Sequence, residues 1–261
     1  MAARAIWKGR LAIASVRLPV KLYSAVSDRT VRFHILDDRS LMRVKQHMVN
    51  PDTGEEVPSG EISKGYEIER GKYVILTGED LESLTPASSR DIEINEFIPN
   101  QQLGQQWYDR PYYLGPDGDE KAYFALAEAL NRSGREGIAH WVMRKRSYVG
   151  ALRAQDGYLW LVTLHNAEEV ITARDLPQPT TRQSSPAELK LAKQLVEAVQ
   201  GEFNPSEYKD EYRKRVLDFI DEKAEGHKPR LRALKSKHAP ASLEDALTRS
   251  LAALKKEKRS A

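Results

Sequence analysis

Short stretches of alternating apolar and polar residues, each bounded by glycine or proline, run through the first two thirds of the chain. The alternation is clear from Val16 to Leu22 and again at Ile92 and Ile94. A period of two predicts β-strands, and several short strands punctuated in this way predict a barrel or sandwich. Pro19 cannot donate a ladder hydrogen bond, so we expect a free strand edge or a bulge there. The most apolar stretch, Tyr158 to Leu164, is strand-sized, far short of the ~18 residues of a membrane helix.

The remaining strand predictions rest on the same alternation. We expect strands around Val31 and Phe33, from Leu41 to Val49, and from Lys72 to Thr77. The second of these leads into a strong turn signal, Asn50-Pro51-Asp52-Thr53-Gly54. Two longer strands, Ile138 to Ala151 and Gly157 to Leu164, are expected to be joined through Gln155-Asp156-Gly157.

Helix signals are fewer. Thr77-x-x-Asp80 is typical of a capping box, and the apolar spacing from Tyr123 to Leu130 predicts a helix that stops at Gly134. After Pro177 and Pro179 the composition changes, and Ser185-Pro186-x-Glu188 gives a second start signal.

The C-terminal third is expected to be helical and modular. Asn204-Pro205-x-Glu207 repeats the start signal, with an apolar stripe from Tyr208 to Ile220 and a stop at Gly226. We therefore predict a barrel core over residues 1–180, a helical arm over 187–226 that packs on another subunit, and a basic linker with a short helix over 227–261. That last helix carries Leu243, Leu247, Leu251 and Leu254 along one side.

Charge is distributed unevenly. Net charge is only +3, yet residues 1–50 hold ten Lys and Arg against three Asp and Glu, and residues 222–261 hold eleven against five. Residues 51–130 reverse the balance, with six against seventeen. This asymmetry favours binding of a polyanion to one face of the protein, although the charge of a sequence segment need not correspond to a face of the folded chain.

Catalytic motifs are absent from the sequence. There is no cysteine, the six histidines include no i, i+4 pair, and no nucleophile elbow or phosphate-binding glycine loop occurs. We therefore predict no enzymatic activity, no metal and no cofactor. One enzymatic alternative stays open, a metal-dependent nuclease using the strand carboxylates Glu67 and Glu69, Glu93 and Glu96, or Glu168 and Glu169.

Basic residues make a stronger case, because residues two apart on a strand point the same way and could follow evenly spaced phosphates. Their alternative interpretation is a solvated strand face that forms salt bridges to the acidic middle segment. The candidates are Lys8, Arg10, Arg17, Lys21, Arg43, Lys45, Arg144 and Arg146.

The ordered motifs of residues 3–175 resemble those of bacterial Ku proteins. None is diagnostic alone, but their order and spacing are specific. They are ARAIWKG at Ala3, LPVKLYS at Leu18, KGYE at Lys64, GKYVILT at Gly71, IEI at Ile92, DRPYYL at Asp109, EKAY at Glu120, GIA at Gly137 with Arg144 and Arg146, and ALR at Ala151.

This resemblance implies a Ku-core-like β-barrel of mixed β/α class, with bridging loops that form a dimeric ring around duplex DNA, followed by a helical arm and a short C-terminal helix. It implies a homodimer that binds double-stranded DNA ends in bacterial non-homologous end joining and recruits an ATP-dependent DNA ligase, ligase D. The leucine-bearing C-terminal helix is the docking candidate. A cytoplasmic, nucleoid-associated protein without a membrane partner is expected.

Two departures from the family pattern matter. Many relatives carry cysteines near the turn at Asn50, and this chain has none, which excludes a metal-stabilised version of that turn. Some relatives also end in long lysine-rich tails, whereas here only residues 255–261 follow the leucine-bearing helix. Strong additional DNA binding by the tail is therefore not expected.

Overall fold

The computed structural model describes residues 3–177 and 184–226 and divides the chain into two compact units. The first unit takes in the chain up to Arg29 and from Phe33 to Asp175, and the second takes in Thr30–Arg32 and the chain from Leu176 onward. The domain limits predicted from the sequence remain predictions.

A closed seven-stranded barrel is the main feature of the first unit. The strands of this unit are β1 (Trp7–Ile13), β2 (Val16–Ser24), β3 (Lys64–Glu69), β4 (Lys72–Leu76), β5 (Asp91–Pro99), β6 (Tyr108–Pro116), β7 (Arg135–Met143), β8 (Arg146–Gln155) and β9 (Tyr158–Leu164). The barrel order is β1-β2-β6-β9-β8-β7-β5, and β5 closes it by pairing in parallel with β1. The predicted barrel is therefore confirmed.

The period-two pattern fills the barrel interior. Leu11, Val20, Ile92, Leu114 and Leu161 are completely buried, and apart from Ala12, which is also buried, the residues next to them on their strands are at least partly exposed. Complete burial of one such side chain stabilises the fold by about 1.5–3 kcal/mol. The free strand edge expected at Pro19 is present on the side of β2 that faces β6, because the β2–β6 ladder starts only at the next residue, Val20.

One helix packs on the barrel and links two of its strands. The helix α2 (Glu120–Ser133) ends at Gly134, which adopts the left-handed conformation with φ 61°. Its Tyr123 is fully buried. The Tyr123 hydroxyl donates to the carbonyl of Leu114 and accepts the amide of Leu159 at 2.9 Å, two residues that are β6–β9 partners. The predicted helix and its stop are confirmed.

The segment between β2 and β3 differs from the prediction. No strand forms at Val31 to Phe33 or from Leu41 to Val49; two isolated bridges, Leu36 with Arg43 and Val49 with Glu56, stand in their place. Each bridge spans its own turn, and within the described residues no further strand pairing extends it into a ladder. The Asn50 turn itself is present, with the Gly54 amide donating to the Asn50 carbonyl at 2.8 Å.

The stretch expected as one strand from Ile138 to Ala151 is a hairpin. Arg144 and Lys145 connect β7 to β8, both with positive φ (52° and 64°). A two-residue hairpin turn requires positive φ at both positions and normally uses asparagine and glycine there. An arginine–lysine pair lacks that signal, which is why the turn was missed. The second turn, Asp156-Gly157, was predicted and is confirmed.

A separate two-stranded hairpin, β3–β4, carries exposed apolar side chains. Tyr66 and Ile75 are 67% and 65% exposed, and no residue of the hairpin is buried. The helix α1 (Gly78–Ser83) follows it and begins with the predicted capping box of Thr77 and Asp80.

The described part of the second unit contains two helices, α3 (Pro186–Ala198) and α4 (Glu211–Ala224). Ser185 and Glu188 form the predicted capping box of α3. The Asn204 signal produces only a short 3-10 turn, and α4 starts at Glu211 under an Asp210 cap, because the chain leaves helical geometry after Glu207. Neither helix has a buried residue. The predicted basic linker and the helix with Leu243, Leu247, Leu251 and Leu254 lie outside the described residues.

Candidate nucleic-acid interface

Strand register brings several cations to one edge of the barrel. The first residue of β5, Asp91, lies opposite Arg10 of β1. The next residue, Ile92, lies opposite Trp141, which is near the end of β7. The β7–β8 turn therefore lies just past the start of β5. β1 also extends past that start, with Lys8 facing Lys21 of β2. We call this the cationic edge; it comprises Lys8, Arg10, Lys21, Arg90, Arg144, Lys145 and Arg146.

Three of the predicted DNA-binding residues on this edge are held by carboxylates. Asp117 accepts Lys21 Nζ at 2.7 Å and Lys8 Nζ at 3.2 Å, and Asp91 accepts Arg10 Nε at 2.8 Å. Both acids belong to the acidic middle segment. In the free protein these three cations therefore fit the alternative interpretation given above, a solvated strand face that forms salt bridges to the acidic middle segment.

Hydrogen bonding to Lys21 and then to Lys8 lowers the pKa of Asp117, and the hydrogen bond to Asp117 raises the pKa of Lys21. Asp117 and Lys21 are therefore both charged at neutral pH. The site is ionic and keeps a single net positive charge.

The β7–β8 turn supplies cations of a different kind. Arg144 and Arg146 are exposed, and no carboxylate partner for either lies within the described residues. Between them, Lys145 is held by Glu82 of α1 at 2.8 Å, which lowers the pKa of that carboxyl. The two arginines do not share a strand face as predicted, since Arg144 is a turn residue and Arg146 begins β8. They nevertheless lie together at the tip of one hairpin.

Arg90 was missed by the sequence reasoning. It is exposed, it directly precedes β5, and its carbonyl accepts the Arg10 amide at 2.8 Å, which places it beside β1. Arg90 occurs alone in a polar loop, without the spacing that marked the other cations. Only the parallel pairing of β1 with β5, which the sequence did not predict, places it on the cationic edge.

The remaining predicted cations lie elsewhere. Arg17 is beside the β1–β2 turn, at the far end of that hairpin from Lys8, where its guanidinium donates to the carbonyls of Ala14 and Val16 at 2.7 and 3.0 Å. Arg43 and Lys45 are exposed in the segment that was expected to be a strand and is not one. The paired face predicted for these two residues is therefore wrong.

A polar cleft of about 390 Å³ opens on another part of the barrel, lined by residues of β6, β8, β9 and α2. The completely buried Glu136 accepts the Tyr108 hydroxyl at 2.8 Å and pairs with Arg153 at 3.3 Å. Desolvation, followed by the hydrogen bond to Glu136, raises the pKa of Tyr108 to about 12. With its carboxylate paired and its phenol neutral, this cluster holds no free base and serves to fix the strands around it.

Three of the six carboxylates considered for a nuclease have other partners. Glu67 accepts the Gly71 amide at 2.8 Å, Glu69 pairs with Lys72 at 2.6 Å, and Glu169 accepts the Asn166 amide at 2.7 Å. Across the described ranges, no three or more His, Asp or Glu side chains are grouped so that they could hold a metal ion. Over the same ranges, no helix is long and apolar enough to cross a membrane.

Comparison with known proteins agrees with the barrel. Residues 12–191 match the family described as the Ku70/Ku80 beta-barrel domain. Proteins named non-homologous end joining protein Ku are similar over most of the chain. The relative from Anaeromyxobacter sp. is 39% identical over 257 residues, covering 97% of this chain and 87% of the relative. The relative from Archaeoglobus fulgidus is 37% identical over 254 residues, covering 97% and 100%. The relative from Pseudomonas aeruginosa is 37% identical over 226 residues, covering 85% and 77%. The chain therefore belongs to the Ku family, alongside the proteins named non-homologous end joining protein Ku.

Proposed function

We propose that this protein binds the ends of double-stranded DNA without regard to sequence and acts in non-homologous end joining. The observation that carries the proposal is the pair of arginines at the tip of the β7–β8 hairpin, which have no carboxylate partner within the described residues, on a barrel whose relatives are named for end joining. Arg144 lies in the two-residue turn between β7 and β8, Arg146 begins β8 directly after it, and Arg90 lies at the same edge. Guanidinium groups without internal partners bind phosphate oxygens well, and phosphate contacts do not depend on base identity.

The preference for ends requires a closed path around the duplex, which we propose is made by a homodimer. The first unit leaves apolar surface that a barrel of this size does not need. Tyr66, Ile75 and Leu41 are each at least 65% exposed, on the β3–β4 hairpin and on the segment between β2 and β3. Exposed apolar side chains on both faces of a hairpin that has no buried residue are typical of a segment that packs against another chain. A second copy of the chain would bury them and join the two segments into a bridge.

The helices of the second unit support the same assembly. Leu189 and Val196 of α3 and Tyr212 of α4 are all more than 60% exposed. Helices of 13 and 14 residues are only marginally stable alone in water, so they need a partner surface. We propose that the helical arm, residues 187–226, packs against the other subunit.

We further propose that residues 227–261 recruit an ATP-dependent DNA ligase, ligase D, through the helix bearing Leu243, Leu247, Leu251 and Leu254. In this scheme the protein is not an enzyme: it holds the ends, and the ligase performs the chemistry. It acts in the bacterial cytoplasm, on the nucleoid.

Comparing open and closed DNA tests the central proposal. A linear duplex and a covalently closed circle of the same length and sequence are titrated with the protein by gel shift, and the mass of the free protein is measured in solution. We expect retention of the linear form only, and a mass twice that of the chain. Equal retention of both forms, or a monomer that binds ends, contradicts the ring.

A further inference from the structure

The side chain of Asp117 lies between two lysines that face each other across β1 and β2. Lys8 and Lys21 are register partners, and each donates to a different oxygen of the same carboxylate, Lys21 to Oδ1 at 2.7 Å and Lys8 to Oδ2 at 3.2 Å. Two ammonium groups therefore converge on one anion that offers two oxygens. Because the two lysines are partners in the β1–β2 ladder, their backbone positions are fixed, and both ammonium groups can reach one anion placed between them.

A phosphodiester offers the same two-oxygen geometry. Its two non-bridging oxygens can replace the two carboxylate oxygens without any movement of β1 or β2. The site is also open to such a ligand, since Lys8 is 62% exposed, Lys21 30% and Asp117 28%. A surface ion pair of this kind contributes little to stability and is readily exchanged.

The backbone keeps Asp117 in place when its side chain turns away. Asp117 follows β6 directly, and its amide donates to the Pro19 carbonyl of β2 at 3.2 Å. A displaced carboxylate would remain within reach of both lysines, and a tethered competitor acts at a high effective concentration.

We propose that Asp117 competes with DNA phosphate for Lys8 and Lys21, and so limits how tightly the cationic edge holds a duplex. This inference rests on the proposed DNA binding and adds to it a residue that weakens the contact. A protein that encircles DNA gains its persistence from the ring. Moderate phosphate contacts then leave it free to move along the duplex.

Removing the carboxylate should therefore strengthen binding. Each phosphate contact adds about 0.9 to the slope of log K against log salt, which corresponds to about eightfold in affinity at 0.1 M salt. We expect Asp117→Asn to bind a linear 30-base-pair duplex about eightfold more tightly at 0.1 M salt, with a slope steeper by about one. Its melting temperature should not rise, because two ion pairs are lost.

Two controls separate competition from general charge. Asp119→Asn removes the same charge two residues away; its side chain caps α2 by accepting the Ala122 amide at 3.0 Å, which asparagine does equally well. We expect it to change affinity much less. In a Lys8→Gln/Lys21→Gln background, Asp117→Asn should have no effect beyond that of Asp119→Asn.

Fluorescence anisotropy of the linear duplex from 50 to 300 mM salt gives all of these slopes. Equal gains for Asp117→Asn and Asp119→Asn, or no gain for the first, overturns the inference while leaving end binding intact. Failure of the unsubstituted protein to bind the linear duplex refutes the proposed function instead.

Discussion

Neutralising the two arginines at the tip of the β7–β8 hairpin gives the sharpest test of the proposed interface. Arg144→Gln and Arg146→Gln remove the two guanidinium groups that lack a carboxylate partner within the described residues, while the barrel core stays untouched. If both contact phosphate, the loss should be uniform across DNA sequences, since phosphates carry no base information.

The size of the effect follows from counterion release. Each lost phosphate contact lowers the salt slope by about 0.9, so the double variant should lose about 1.8. At 0.1 M salt that amounts to roughly eightfold per arginine and roughly sixtyfold for both, or about 2.5 kcal/mol at 1.4 kcal/mol per factor of ten.

Lys145 is the matched control, because it lies between the two arginines and carries the same charge. Its ammonium is already held by Glu82 at 2.8 Å, so it releases fewer counterions when DNA binds. Anisotropy titrations of a linear duplex should show a much smaller loss for Lys145→Gln than for either arginine variant. Tm should be equal for all three proteins, within one or two degrees.

Equal losses for all three positions would show that only net charge matters and would refute the reasoning from pairing. A loss confined to one DNA sequence would point to base recognition instead. No loss in the double variant would remove the hairpin tip from the interface.

Further measurements test other parts of the molecule. Tyr123→Phe leaves a buried amide of β9 without its acceptor, so urea unfolding should show a loss of about 2–3 kcal/mol, whereas the exposed Tyr158→Phe should show almost none. The folded-state pKa of Tyr108, about 12, lies above its ordinary value of 10.0. The stability that the neutral phenol contributes is therefore complete below pH 10 and is lost as the pH rises toward 12. Unfolding curves measured between pH 9 and 12 should show this loss of stability in the unsubstituted protein and not in Tyr108→Phe. Ile75→Glu should shift the mass in solution toward the monomer if β3–β4 bridges two copies. Deleting residues 241–261 should leave DNA binding intact and abolish ligase stimulation.

The barrel strands were predictable because one face of each is buried. At Leu18–Leu22 and Ile92–Ile94 every second residue is buried in the barrel, and the sequence shows this as alternating apolar residues. Helix starts were predictable for a similar reason, since a capping box such as Ser185 with Glu188 is a local arrangement that needs no distant contact.

Elements outside the barrel could not be predicted in this way. Between Leu41 and Val49 the apolar residues are exposed, so their alternation reports no buried face and no ladder forms. The Arg144-Lys145 turn carries none of the residues that favour positive φ, and the β7–β8 register imposes it instead. Which cations are free could not be predicted either, because Asp117 and Asp91 lie far in sequence from Lys8 and Arg10.

The conformation of the β7–β8 turn explains why Arg144 and Arg146 should be the principal phosphate contacts. Positive φ at two non-glycine residues costs on the order of 1–2 kcal/mol each, and such strain persists only where the surrounding structure enforces it. The β7–β8 ladder pairs Met143 with Arg146 directly across the turn, which leaves the two turn residues no alternative. Glu82 of α1 also accepts the Lys145 ammonium, an exposed ion pair that adds little to the constraint from the ladder. The backbone that carries Arg144 and Arg146 is therefore held in one conformation, and phosphate binding there costs little backbone entropy. The lysines at Asp117 are equally well supported but already occupied, so the same barrel edge offers one site ready for phosphate beside one that phosphate must compete to enter.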